Sequence, residues 1–477
     1  MALERLPIEL ILRISDHLSQ KCGFYLALAS RKLAAILLPR SRLITLSYAS
    51  HRGKQDLFFR VLEQDVDFSI TWGGRTILEE IILNRHDDYV APLLDRGVGI
   101  VYPPGSICAE TGVTLLHLAA AAGCSDEVLK RLLVHGDGVD PFKMDDEGLT
   151  PLLCAVNQGR VASAKMLIDI YREKNKEIDP PDAKYPLLLQ AAMHGNGEMV
   201  LFLLQTRGVR VDARGTAGEN ALHWLTRNSI QEAETDRQSY DLEIKILDAL
   251  LAAGIDLSAK ATETQATPLH SAAENGLWAF ILRLVSAGAD LTARCSLGGT
   301  PLHWAARAGC DRTINALVDL GANVHDTDSN NRTPLLWAYA TDLFNQDPES
   351  DLSSSPIWCL LKHGSRTSHL DVGHQNILHL AAFHDRFRAA TILLAAGIDV
   401  NVQSVNGSTA LHLAALNGSL KTAVQLLRAQ PDLALLNTLD QSAIDVAIEK
   451  GHEDIVALIR KYEQLGVESV GGVIPPL

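Results

Sequence analysis

Several things this chain is short of narrow its function before any motif is sought. Aromatic residues make up only 5% of its 477 positions, so a core must be built mostly from Leu, Ala, Ile and Val. Basic charge is also scarce: 43 Lys and Arg against 57 Asp and Glu leave a formal net charge of −14. That balance argues against a phosphate backbone as the main partner. The seven cysteines, at 22, 108, 124, 154, 295, 310 and 359, form no close pairs. An odd, scattered set fits reduced, buried thiols in an intracellular protein, not a disulfide framework or a zinc site. No uninterrupted apolar run approaches the ~20 residues that span a bilayer. The N-terminus carries Glu4 and Glu9 where a signal peptide needs a basic flank and an apolar run. The expectation is a soluble protein inside the cell, in cytoplasm and/or nucleus, with no membrane partner.

What the chain has in abundance is one phrase. Thr300-Pro301-Leu302-His303-Trp304-Ala305-Ala306 with Gly309 is its clearest copy. Others start at Thr114, Thr150, Thr267, Thr333 and Thr409, and weaker ones at Ile44, Thr76, Pro186, Asn220, Asn376 and Ser442. Starts 33 residues apart, as from Thr267 to Thr300 to Thr333, set the period. Thr can cap a helix and Pro at the next position lacks an N–H that would be orphaned anyway. Leu points inward, the paired Ala residues let neighbouring helices approach, and Gly ends the helix. A second amphipathic helix follows, as at 127–136 or 388–397, and then a turn-rich segment around Gly298-Gly299, Asn330-Asn331 or Asn406-Gly407.

This pattern resembles the ankyrin repeat family from about residue 44 to 462. The resemblance implies an all-α solenoid of about twelve helix-turn-helix repeats with hairpin fingers, followed by a tail at 463–477. Such repeats bury their apolar faces only against neighbours, so the end copies should be polar caps. The last copy has Asp445 in the His slot and Arg460-Lys461 late in its second helix. Surplus residues fall at 173–184, 228–241 and 342–356 and read as solvated loops. Ser353-Ser354-Ser355 is also a candidate phosphorylation-controlled docking site.

Residues 1–40 do not carry the phrase. Leu6-Pro7 followed by Glu9-Leu10, Ile14 and Leu18 gives a short amphipathic helix, and Ser30-Arg31-Lys32-Leu33 lies in a second one. The segment resembles the F-box, a small helical module that docks on the Skp-family adaptor of a cullin–RING ubiquitin ligase. That resemblance implies adaptor contacts through Leu6, Pro7, Glu9, Leu10 and Ile14. The other reading has these helices capping the first repeat.

No catalytic signature accompanies the repeats: there is no His-Glu-x-x-His, paired Cys-x-x-Cys, Gly-x-Ser-x-Gly or phosphate-cradling loop. Six of the seventeen histidines, 117, 223, 270, 303, 379 and 412, share one slot. Their expected role is to bond nearby backbone, and at about 10 Å apart they cannot share a metal. No cofactor, metal, enzyme activity or direct nucleic-acid contact is expected. Trp224, Trp304 and Trp337 follow that slot and read as core.

Specificity should lie where the repeat dictates nothing: finger tips, and the two residues before the inner-helix Gly. The partner-contact candidates are Met193, His194, Arg227, Asn228, Arg307, Phe383, His384 and Leu416. The expectation is a monomeric interaction protein that recruits a substrate to an SCF-type ubiquitin ligase. The alternative is a regulatory scaffold such as a nuclear ankyrin-type transcription coregulator, with no ligase attached.

Overall fold

A computed structural model describes residues 53–64, 75–96, 111–135, 140–181, 183–229, 237–338 and 355–471, plus isolated positions between 46 and 98. The F-box-like segment, with Leu6, Pro7, Glu9, Leu10 and Ile14, lies outside the described residues. Among those described, the chain forms 23 α-helices, one short 3-10 helix at Gly466–Val470, and no strand. They divide into two compact units, residues 1–215 and 216–477.

In the second unit, inner helices alternate with outer ones. The inner series runs Ala221–Asn228, Pro268–Glu274, Pro301–Ala308, Pro334–Trp337, Ile377–Phe383, Ala410–Asn417 and Ala443–Lys450, each against the next. The outer helices, such as Trp278–Ser286 and Leu420–Arg428, stack behind them in a second layer. Paired alanines make this possible: Ala272, Ala305, Ala306, Ala381, Ala414 and Ala415 are all fully buried. A larger side chain there would push the inner helices apart. Ile448 holds the slot of Ala382 and Ala415 but is 52% exposed, because no described repeat stacks beyond it. Asp445, Arg460 and Lys461 are likewise exposed, as a cap requires.

The first unit repeats the scheme, from Ile77–Leu83 and Leu115–Ala122 to Leu187–Met193 and Gly197–Leu204. Its insertion after helix Val161–Glu173 is not a solvated loop throughout. Asp179 is buried; its carboxylate accepts the Arg210 N–H at 2.9 Å, while Arg210 Nη1 donates to the carbonyls of Pro180 and Pro181. In the second unit part of the 228–241 surplus becomes helix, since Arg237–Ala252 runs for 16 residues. Residues 230–236 and 339–354 are outside the described set.

The fingers close as tight turns instead of strand pairs. Cys295 N–H bonds the Gly299 carbonyl and Gly298 N–H bonds the Cys295 carbonyl, and the same pair recurs at 328–332, 404–408 and 437–441. Gly298 sits at φ +79°, and a Cβ on it would fall 2.5 Å from Ser329 Oγ in the next finger. From Thr262 onward each finger is tied to its predecessor by one backbone bond, as in Ser329 N–H to Leu297 and Val405 N–H to Gly373. One bond per step cannot build a ladder.

The shared histidines supply the rest of the connection. In the copies started by Thr114, Thr267, Thr300 and Thr409 the Thr hydroxyl lies 2.7–2.9 Å from His Nδ1, and the Thr backbone N–H donates to that same nitrogen. Nε2 of His117, His223, His270, His303, His379 and His412 then reaches a carbonyl of the following finger at 2.9–3.1 Å. Such a ring works as a neutral imidazole, with Nδ1 accepting and Nε2 donating. Glu79 and Asp445 replace it in their copies and still cap the helix start.

Burial pushes His270 and His303 down to about 4, against the opposing pull of their carbonyl partners. The unfolded chain, with histidines near 6.5, therefore binds more protons than the folded one between these values. Stability from this source is complete above about pH 6.5 and is lost as pH falls toward 4. At pH 5 the loss is about 2 kcal/mol for each of the two rings. Thermal melts at pH 7.5 and pH 5 check this: His270→Gln/His303→Gln should melt lower than the parent at pH 7.5 and fall less steeply toward pH 5.

Candidate protein-interaction surface

The positions that the repeat leaves unspecified come out at equivalent points of successive inner helices. Through the second unit they read Arg227, Glu274, Arg307, then Phe383, Leu416 and Glu449. The row alternates in charge over its first half, turns apolar at Phe383 and Leu416, and ends on the acidic Glu449.

Arg227 projects from the last turn of Ala221–Asn228 and is half exposed. Its Nη1 meets the carboxylate of the mostly buried Glu219 at 2.7 Å, and its guanidinium lies 5.3 Å from the Trp224 ring centre. Arg307 repeats the arrangement on a larger scale. Its guanidinium lies 4.9 Å from Trp304 and 5.6 Å from Trp337, and it pairs with Glu274 of the preceding repeat. Stacking on an indole face and pairing with a carboxylate both hold a planar guanidinium in place. The residues that position these cations were missed in the sequence as functional. The available signal was the three-residue spacing of Trp224–Arg227 and Trp304–Arg307, which puts both on one helix face.

The Trp304 and Trp337 rings themselves are buried. Trp337 Nε1 donates to Asp328 of its own finger at 2.9 Å. Each ring also takes the edge of the preceding histidine: His270 against Trp304 at 5.5 Å and His303 against Trp337 at 5.4 Å. These indoles are core on one side and a platform for Arg307 on the other.

Phe383 ends its helix 44% exposed, with the His384 ring edge-on at 4.9 Å. Leu416 is half-buried, and its carbonyl receives His452 Nε2 of the next repeat at 3.2 Å. Gly418 follows at φ +71°, where a Cβ would lie 2.8 Å from that imidazole, so the close approach needs glycine. Asn228 is exposed beside Arg227. In the first unit Met193 is half-buried and His194 exposed at the end of Leu187–Met193. The structure thus gathers six candidates in the second unit and two in the first.

Other chemistry is sparse among the described residues. No group of three His, Cys, Asp or Glu side chains could hold a metal ion. The described cysteines are all free thiols; burial raises Cys124 and Cys154 to about 12 and Cys359 to about 11, far from a reactive thiolate. No described helix is long and apolar enough to cross a membrane.

Comparison with known proteins agrees with this geometry. The family profile for ankyrin repeats, three copies long, matches residues 100–182, 188–295, 238–328, 269–347 and 378–468, together more than half of the chain. An ankyrin repeat protein of fowlpox virus is 29% identical over 129 residues, which cover 27% of this chain. The chain spans about a fifth (21%) of the length of that viral relative. Stacked inner helices, histidine-bridged fingers and the family match together make this chain a member of the ankyrin repeat family, whose repeats serve protein–protein interaction.

Proposed function

We propose that the protein recruits a client protein to a cullin–RING ubiquitin ligase of the SCF type, the repeats holding the client and residues 1–40 holding the Skp-family adaptor. The mechanism is proximity: the chain contributes position, and the transfer chemistry belongs to the ligase. The observation that carries the client half is the Arg307 guanidinium, exposed at its edge yet fixed over two tryptophans. Arg and aromatic side chains held this way lose little freedom on binding and are enriched among residues that dominate interfaces. Phe383 and Leu416 add apolar area farther along the same row. The ligase half is supported by the Leu6-Pro7-x-Glu9-Leu10 opening and its F-box resemblance. Without an adaptor contact, the same repeats act as a regulatory scaffold for transcription factors or other proteins.

Two experiments separate these parts. Arg227→Ala/Arg307→Ala/Phe383→Ala should abolish capture of the client while costing only roughly 1–3 kcal/mol of stability, since all three side chains are substantially exposed. Unchanged pull-down by this variant removes the inner-helix row as the client site. The full chain should co-purify with the Skp-family adaptor, and Leu6→Ala/Pro7→Ala should not. Absence of the adaptor from the parent preparation refutes the ligase role and leaves the scaffold.

A further inference from the structure

Asp145, Asp328, Asp371 and Asn437 open their fingers with a side-chain oxygen that gathers N–H groups. Asp145 Oδ1 accepts those of the residues two and four places on, at 3.0 and 2.8 Å, and Asp371 and Asn437 do the same. Asp328 takes one donor more. Its Oδ1 accepts the Asn330 and Arg332 N–H groups, both at 2.8 Å, and its Oδ2 accepts Trp337 Nε1 at 2.9 Å. Three donors thus converge on one anion.

One period earlier the equivalent donors surround a cysteine. Cys295 stands 33 residues before Asp328, and Trp304 stands 33 before Trp337. The turns match: the bonds from Cys295 N–H to Gly299 and from Gly298 N–H to Cys295 recur from Asp328 to Arg332 and from Asn331 to Asp328. The indoles match too, since His270 meets Trp304 edge-on at 5.5 Å and His303 meets Trp337 at 5.4 Å. Trp304 is therefore aimed at Cys295 as Trp337 is at Asp328. It is 8% exposed, and its Nε1 is buried without a partner. The N–H groups of Leu297 and Gly299 likewise meet no acceptor among the described residues. A thiol is a weak acceptor and a poor substitute for a carboxylate. Convergent N–H donors, one of them buried and unpaired, favour an anion in this slot.

We propose that Cys295 is an oxidation site, converted by hydrogen peroxide to a sulfinate that fills the place of an aspartate. The sulfur attacks one peroxide oxygen: an S–O bond forms, the O–O bond breaks, and the displaced oxygen leaves with the thiol proton as water. A second peroxide adds the second oxygen to this sulfenic acid and also leaves as water. Sulfur gives up four electrons, two to each peroxide, and the sulfinic acid releases its proton at neutral pH. Its oxygens then accept the Leu297 and Gly299 N–H groups and Trp304 Nε1. Cys295 is itself buried, but Arg294, Ser296 and Leu297 beside it are exposed, so a molecule as small as peroxide has a short way in. Arg294 also donates to the Gly298 carbonyl of the same turn at 2.8 Å, which keeps a cation on this finger.

The modification acts beneath Arg307. That guanidinium lies 4.9 Å from the Trp304 ring, so pinning the indole stiffens the centre of the inner-helix row. This consequence rests on the client-recruiting reading, whereas the oxidation itself does not.

Limiting hydrogen peroxide on the full chain, followed by peptide mass spectrometry, tests the site. The Cys295 peptide should gain two oxygen atoms about tenfold faster than the peptides of Cys124, Cys154 and Cys359. Treatment should raise the melting temperature of the parent by about 2–4 °C and leave that of Cys295→Ser where it was. Cys295→Asp should give a similar rise with no oxidant, and Trp304→Phe should shrink the rise that Cys295→Asp brings. Equal oxidation of the four peptides overturns the proposal. So does a treated parent, or a Cys295→Asp variant, that melts no higher than the untreated parent.

Discussion

Each imidazole that joins two repeats faces both ways: its Nδ1 is fixed by the Thr or Asn that starts its own helix, and its Nε2 by the finger that follows. Much else depends on that bridge. It orients the finger, so a single backbone bond per step is enough to align the turns. It keeps the ring neutral, because Nδ1 must accept while Nε2 donates. It also supplies an edge to the tryptophan of the next repeat, which in turn forms the floor beneath Arg307. A residue chosen for stacking thereby helps shape the surface offered to a partner.

The bridge's absences are as informative as its presence. Glu79 and Asp445 keep the capping half and give up the donor, near the first described repeat and at the last. A carboxylate has no N–H for a following finger, which suits Asp445, an exposed residue of the last described repeat. Leu336 gives up both halves within the array, and the Thr333 hydroxyl is left without a partner. Because repeats contact only their neighbours, each such substitution acts on its own interface.

The period, the helix starts and the buried alanines could all be read from spacing, because a stacked repeat puts the same demand on the same slot every time. Helix Pro301–Ala308 begins at the expected proline and stops at the expected Gly309. Surface positions were legible only as slots. Arg227 and Arg307 could be placed at inner-helix ends, but the carboxylates they pair with were not apparent. Glu274 reaches Arg307 from 33 residues away, across a repeat boundary. Two of the insertions expected as solvated loops hold more than that: Asp179 is buried in one, and Arg237–Ala252 begins within another.

By itself the sequence determined the repeat, its register and the scarcity of catalytic groups, since each follows from residue types recurring at fixed intervals. Local rules suffice there: a Thr-Pro start, a period of 33 and a Gly stop act within one copy. Only the tertiary structure decided which polar atoms found partners and which did not. The hydroxyls of Thr150 and Thr333 look alike in the chain, each with leucine three residues on, but the first meets the Leu153 N–H and Tyr171 and the second is left alone. That difference arises because burial removes water as an alternative partner, so satisfaction depends on what packs against the group.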